Sequence, residues 1–120
     1  MAYYEEMAMR ITGYFDQRGL PVVHKKMMGG MCFMLDDKMC CGTHIDKASD
    51  QSLLMVRVGE LVAEQNLEQP YVLPMDFTGR PMRGYLFIEE DGVRSNDNLH
   101  RWLDLCVVLN KSHSSLDESP

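Results

Sequence analysis

Apolar residues at the start of the chain recur with helical spacing: Tyr4, Met7, Ala8, Ile11 and Phe15 fall on one face, and Gly19 and Pro21 end the run. That spacing predicts an amphipathic first helix. The pattern then changes to short apolar runs split by turn residues. Strands are predicted over 22–28, 31–35 and 38–45, with Asp36-Asp37 as a two-residue hairpin turn and a Gly-Gly step, Gly29-Gly30, before it. A polar turn over 46–50 leads to a fourth strand over 53–58 and a short helical pattern over 59–64. Pro70, Pro74, Gly79 and Pro81 punctuate what reads as a long irregular connection, the kind that is functional or poorly ordered. The residues 84–89 return as a strand, and Asp91-Gly92 turns the chain. Ser95 or Asp97 is placed to cap a last helix whose Leu99, Trp102, Leu103, Cys106 and Val107 share one face. A Ser-rich, acidic stretch over 112–120 reads as a disordered tail.

This order, helix, three to four strands, short helix, one or two strands, helix, lacks the βαβ alternation of a doubly wound sheet. It predicts an α+β fold with a two-layer antiparallel sheet packed on helices, in one domain over 1–111. The strands raise a difficulty, because both alternating sets are apolar in Met31-Cys32-Phe33-Met34-Leu35 and again in Leu53-Leu54-Met55-Val56. An antiparallel strand with one wet face alternates instead. The second face therefore needs a cover, either the proline-punctuated loop or a second copy, and a homodimer is the expectation.

Composition adds modest limits. A chain of 120 residues is large enough for one real core. No apolar run reaches the length of a membrane helix and no leader pattern is seen, so a cytoplasmic protein without a membrane partner is expected. A net charge of −6 argues against strong direct nucleic-acid binding. Eleven methionines suit an irregular core or an adaptable surface.

Cys32, Cys40, Cys41 and Cys106 form no CxxC pair. A two-residue turn at Asp36-Asp37 sets Cys32 opposite Cys41, about 4.5–5.5 Å apart between Cα atoms and within disulfide reach. Reduced thiols are expected all the same. Simple alternation puts Cys40 and His44 on one strand face about 13 Å apart, too far to share a metal ion. No metal and no cofactor is expected. No nucleophile elbow, phosphate loop or zinc-protease motif is present. A thiol-dependent enzyme at Cys40 or Cys41 is one reading, and no enzyme is the expectation. A second reading takes Lys25, Lys26, Arg57, Arg80 and Arg83 as a patch for an anion, small molecule or partner, provided the fold brings their strand ends together.

Five short motifs occur in order: Met27-Met28-Gly29-Gly30, the turn Leu35-Asp36-Asp37-Lys38-Met39, Leu54-Met55-Val56-Arg57-Val58, Gly79-Arg80-Pro81-Met82-Arg83-Gly84-Tyr85 and Leu99-x-x-Trp102. Together they resemble the TfoX (Sxy) N-terminal domain family over about 25–109, with Met28 where the family usually has Phe. The resemblance implies a two-layer α/β fold related to the secretion-chaperone type, with Gly29, Gly30, Gly79, Pro81 and Gly84 as structural motif positions. It also implies a regulatory role. TfoX proteins are coactivators of natural competence genes that work with the cyclic-AMP receptor protein. Full-length members carry a further C-terminal domain of helix-hairpin-helix character, which does not follow Leu109 here. The expectation is a non-enzymatic domain that acts through protein–protein contacts, with transcription machinery as a candidate partner.

Overall fold

The computed structural model describes the backbone of residues 2–27, 30–46, 50–77 and 80–118, and the side chains of 6–26, 30–45, 50–74 and 83–111. Helix α1 (Ala2–Gln17) is followed by strands β1 (Val22–Met27), β2 (Gly30–Leu35), β3 (Lys38–Asp46) and β4 (Gln51–Arg57). Helix α2 (Glu60–Asn66), strands β5 (Val72–Phe77) and β6 (Arg80–Glu89), a 3₁₀ turn (Glu90–Val93) and helix α3 (Asn96–Glu118) complete the chain. The strands form one antiparallel six-stranded sheet in the order β1-β2-β3-β4-β6-β5. The α+β class expected from the element order holds, with α1 and α3 packed on one face of the sheet and α2 against β6.

Local chemistry accounts for the turns. Asp36 and Asp37 both take positive φ, 55° and 64°, as a tight hairpin turn requires, and Leu35 pairs with Lys38 across it. Ser95 caps α3, its Oγ accepting from the Asn98 N–H at 3.1 Å. Gly30 exists for closeness: a Cβ there would sit 1.7 Å from the carbonyl oxygen of Thr43. Gly84 has φ +85°, and its carbonyl accepts the N–H groups of both Val58 and Gly59 where β4 leaves the sheet. Gly29 and Gly79 lie outside the described residues, and of Pro81 only the backbone, within β6, is described.

Two expectations are corrected. The supposed irregular connection contains β5, an edge strand hairpinned to β6, so it is no lid. Pro74 hid it. Proline cannot donate to a ladder, yet an edge strand has one free side, and β5 has a register irregularity between Pro74 and Asp76. The other edge, β1, carries exposed Lys25 and Lys26, and both features discourage edge-to-edge pairing. The second correction concerns register. Cys32 pairs with Gly42, not Cys41, because a bulge intervenes: Phe33 pairs with Cys41 but Met34 with Met39. Cys40 is the extra residue. The backbone of α3 continues to Glu118.

The core lies between the sheet and the two long helices. Ile11, Phe15, Phe33, Leu54, Ile88, Leu99 and Leu103 are all fully buried there. Two polar contacts tie α1 to α3 and to the 3₁₀ turn before it. Tyr14 Oη donates to Asp104 Oδ1 at 2.5 Å, and Arg10 reaches the carbonyl of Val93 at 2.8 Å. The opposite sheet face is a second, smaller cluster of Cys32, Leu53, Met55 and Phe87, flanked by Met34, Met39 and Tyr85. Alternation therefore did assign the sides correctly for 32–35. What differs is exposure: Met55 and Cys32 are 1% and 0% exposed in the single chain, so the centre of this face is covered without a second copy.

Candidate functional site

Lys25 and Lys26 of the expected patch do not converge with Arg57 and Arg83. Lys25 and Lys26 are exposed on β1, which lies three strand spacings from β4, about 14 Å across the sheet. Arg57 ends β4 and pairs in register with Tyr85 on β6. Arg83, two residues before Tyr85, is exposed and sits 4.0 Å from Glu60. The Arg80 side chain lies outside the described residues. The structure thus brings Arg57 and Arg83 onto neighbouring strands and leaves the lysines on a distant edge.

Two surface depressions adjoin each other where α1 meets the 3₁₀ turn. One, of about 200 Å³, is lined by Glu6, Met7, Arg10, Glu90 and Arg94. The other, of about 370 Å³, shares Glu90 and Arg94 and adds Gln51, Tyr71, Glu89 and Asp91. Their charged groups are turned to internal work. Arg10 holds backbone carbonyls, Glu90 accepts the Ser52 N–H at 3.0 Å, and Arg94 pairs with Asp91 at 2.6 Å.

The denser chemistry is inside. The bulge lets two consecutive residues, Cys40 and Cys41, both join the helix-side core, where strict alternation would have sent them to opposite faces. Cys106 of α3 descends onto them, and all three thiols are at most 1% exposed. The Cys106 and Cys41 thiols both hydrogen-bond Cys40. Those bonds, the Cys106 one first, lower the Cys40 pKa to about 5, opposed by burial and aided by the nearby Arg57 charge. Burial pushes the Cys41 and Cys106 thiols well up, and the negative charge of Cys40 adds to this. The arrangement favours ionisation at Cys40 over its two neighbours. No disulfide joins the four cysteines.

Sequence reading named Cys40 and Cys41 but missed this group. It set Cys40 on the face of His44, whereas His44 lies on the other side of the sheet, stacked on Phe87 at 5.1 Å between ring centroids. Cys32 faces that outer side too, and burial raises its pKa. Cys106 was read only as part of the helix stripe, and nothing local in the sequence links it to the hairpin. Among the described residues no set of three or more His, Cys, Asp or Glu is arranged to hold a metal ion. Nor is any helix there long and apolar enough to cross a membrane.

Comparison with known proteins agrees with the five ordered motifs. The family model for the TfoX N-terminal domain matches residues 14–108, from the second half of α1 to the middle of α3. No curated protein and no solved structure gives a significant match. The matched span includes all six strands, both glycine contacts at Gly30 and Gly84, and the Trp102 stripe, and on that coverage the chain belongs to the TfoX N-terminal domain family.

Proposed function

We propose that this chain is a non-enzymatic, cytoplasmic regulatory domain that works by contacting other proteins, as the N-terminal domains of TfoX-type competence coactivators do. The family match over 14–108 carries this reading. The surface supports it. Large apolar side chains stand out on the helices, Met9 of α1, Leu61 of α2 and Val108 of α3 each being more than half exposed. Exposed apolar groups on rigid helices are the usual anchors of a protein contact. Transcription machinery is the partner class the family suggests. Self-association belongs to the same reading, and these helix positions, together with exposed Val23 and Leu73 in register with Met34 and Phe87 of the outer sheet face, are apolar groups a second copy would cover.

The test is capture of partners by the tagged, cross-linked domain from native cytosol, run beside Leu61→Glu and Val108→Glu. These exposed substitutions leave folding intact, checked by circular dichroism. A reproducible protein partner lost with either variant supports the proposal. Recovery of a small anionic metabolite with no protein, unaffected by either variant, overturns it in favour of an anion-binding domain. Sedimentation equilibrium of the same three proteins at micromolar concentration reads the dimer. A monomer mass for the unaltered chain removes self-association from the proposal.

A further inference from the structure

We propose that Cys40 and Cys106 are a peroxide-responsive dithiol, oxidised to a disulfide that ties β3 to α3. The pairing follows from placement. Cys40 and Cys106 come from different elements and meet in the same core cluster with their thiols in hydrogen-bond contact. Sulfurs so placed can close to a disulfide bond of about 2.05 Å. Cys41 also touches Cys40, but residues adjacent in sequence have Cα atoms about 3.8 Å apart. That is shorter than the ~4.4 Å minimum of ordinary disulfides. Cys32 is on the far side of the sheet. Cys106 is therefore the resolving partner.

Access and reactivity also meet at Cys40. It is the bulged residue, and it has no register partner on β2 or on β4, whose pairing with β3 begins at Cys41. The ladder is thus locally open on both flanks of one residue, the place where a small oxidant enters by local opening. The two S–H donors and Arg57 keep Cys40 as the thiolate, the nucleophilic form. The Arg57 backbone N–H bonds the Cys106 sulfur and favours ionisation there, outweighed by burial and by Cys40.

The oxidant is a hydroperoxide. The Cys40 thiolate attacks one peroxide oxygen, the O–O bond breaks, and the leaving oxygen departs with the bonding pair and takes up a proton. Cys40 is then a sulfenic acid. The Cys106 sulfur attacks the Cys40 sulfur, the S–O bond breaks, and the thiol proton leaves with the hydroxyl as water. In sum two thiols and one hydroperoxide give a disulfide, water and an alcohol, or a second water when the oxidant is hydrogen peroxide. Two electrons pass from sulfur to oxygen.

The experiment treats the reduced full chain with graded hydrogen peroxide and counts thiols after denaturation. Proteolysis without reductant and mass spectrometry then identify the linked peptides. Met9, 73% exposed, is an internal gauge of oxidant exposure through its sulfoxide. The expected result is a fall from four thiols to two at peroxide levels that leave Met9 largely unmodified, with a Cys40–Cys106 peptide that dithiothreitol releases. Cys41→Ala should still form the bond. Cys106→Ala should instead trap Cys40 as a sulfenic acid labelled by dimedone, and Cys40→Ser should slow thiol loss at least tenfold. Four intact thiols alongside full Met9 sulfoxide would overturn the proposal. So would a Cys40–Cys41 or Cys32-containing link as the main product, and both results are read on the unaltered chain, independent of any variant's folding.

Discussion

Replacing Gly30 by alanine adds one methyl group and should be among the most damaging single changes in this domain. The added Cβ would stand 1.7 Å from the Thr43 carbonyl oxygen and 2.6 Å from its carbon. Both are backbone atoms of β3, so no side-chain rotation relieves the clash. The start of β2 must lift away from β3, and the nearest casualty is the hydrogen bond from the Met31 N–H to Thr43 Oγ1, 3.1 Å long. Overpacking of this kind costs about 1–3 kcal/mol. Losing that bond beside a buried threonine adds about 1 kcal/mol. The total, about 2–4 kcal/mol, corresponds to a melting temperature lower by roughly 8–16 °C for a domain of this size. Gly13→Ala is the matched control. It lies inside α1 with nothing within 4 Å of the new methyl group, and should stabilise by about 0.5–1 kcal/mol. Urea titration of the two variants and the parent measures both. The reasoning fails if Gly30→Ala unfolds at the parent's denaturant midpoint, because no route then exists by which the strand could have absorbed the contact for nothing.

Trp102→Ala should lose about 3–5 kcal/mol, since the indole is 2% exposed, and the native protein should show the blue-shifted tryptophan emission of a buried ring. Tyr14 should ionise at higher pH than an ordinary tyrosine, because burial, then the hydrogen bond to Asp104 and its charge, oppose ionisation more than Arg18 favours it. Ultraviolet titration of the folded chain against Tyr14→Phe isolates that group. Under reducing conditions, stability should rise with pH between about 5 and 8 more steeply in the parent than in Cys40→Ser, by up to about 1.4 kcal/mol per unit. The sign follows because Cys40 gives up its proton in the folded state near pH 5, while the unfolded chain keeps it to about 8.5. Equal slopes in parent and variant would show that no folded-state thiolate exists at Cys40.

The parts of this fold that were legible in the sequence are those set by local rules. Alternation and the Asp36-Asp37 turn placed the hairpin, and helical spacing placed Ile11 and Phe15 in α1 and Leu99 to Val107 in α3. β5 was not legible, because three prolines around it carry the signature of a loop, and only the strand's place at the sheet edge makes Pro74 tolerable. The basic residues show a different limit. Lys25 and Arg57 look equally available in sequence, and only the strand order reveals that two other strands separate them. Likewise, the two-sided apolar strands correctly signalled a covered outer face. They could not show that Met34, Met39 and Tyr85 pack against that outer cluster within the chain, with Phe87 stacked on His44.

The bulge at Cys40 is where register and chemistry meet. Had the hairpin kept regular pairing, Phe33 would face Cys40, Cys32 would face Cys41, and the vicinal cysteines would point to opposite sides. Only one of them would then reach the helices. One extra residue changes each of those relations: Cys41 takes the place opposite Phe33, Cys32 is left facing Gly42, and Cys40 turns inward beside its neighbour. The same insertion unpairs Cys40 from both flanking strands, so the residue with the lowered thiol pKa is also the one the ladder holds least. Packing alone does not require this, since a single small hydrophobe at 40–41 would fill the regular hairpin. Removing Cys40 outright should therefore close the bulge and leave a regular ladder in which Cys41 stays opposite Phe33 and Gly42 opposite Cys32. The folded domain would survive with its thiolate gone, a result that amide hydrogen-bond mapping by nuclear magnetic resonance would read directly.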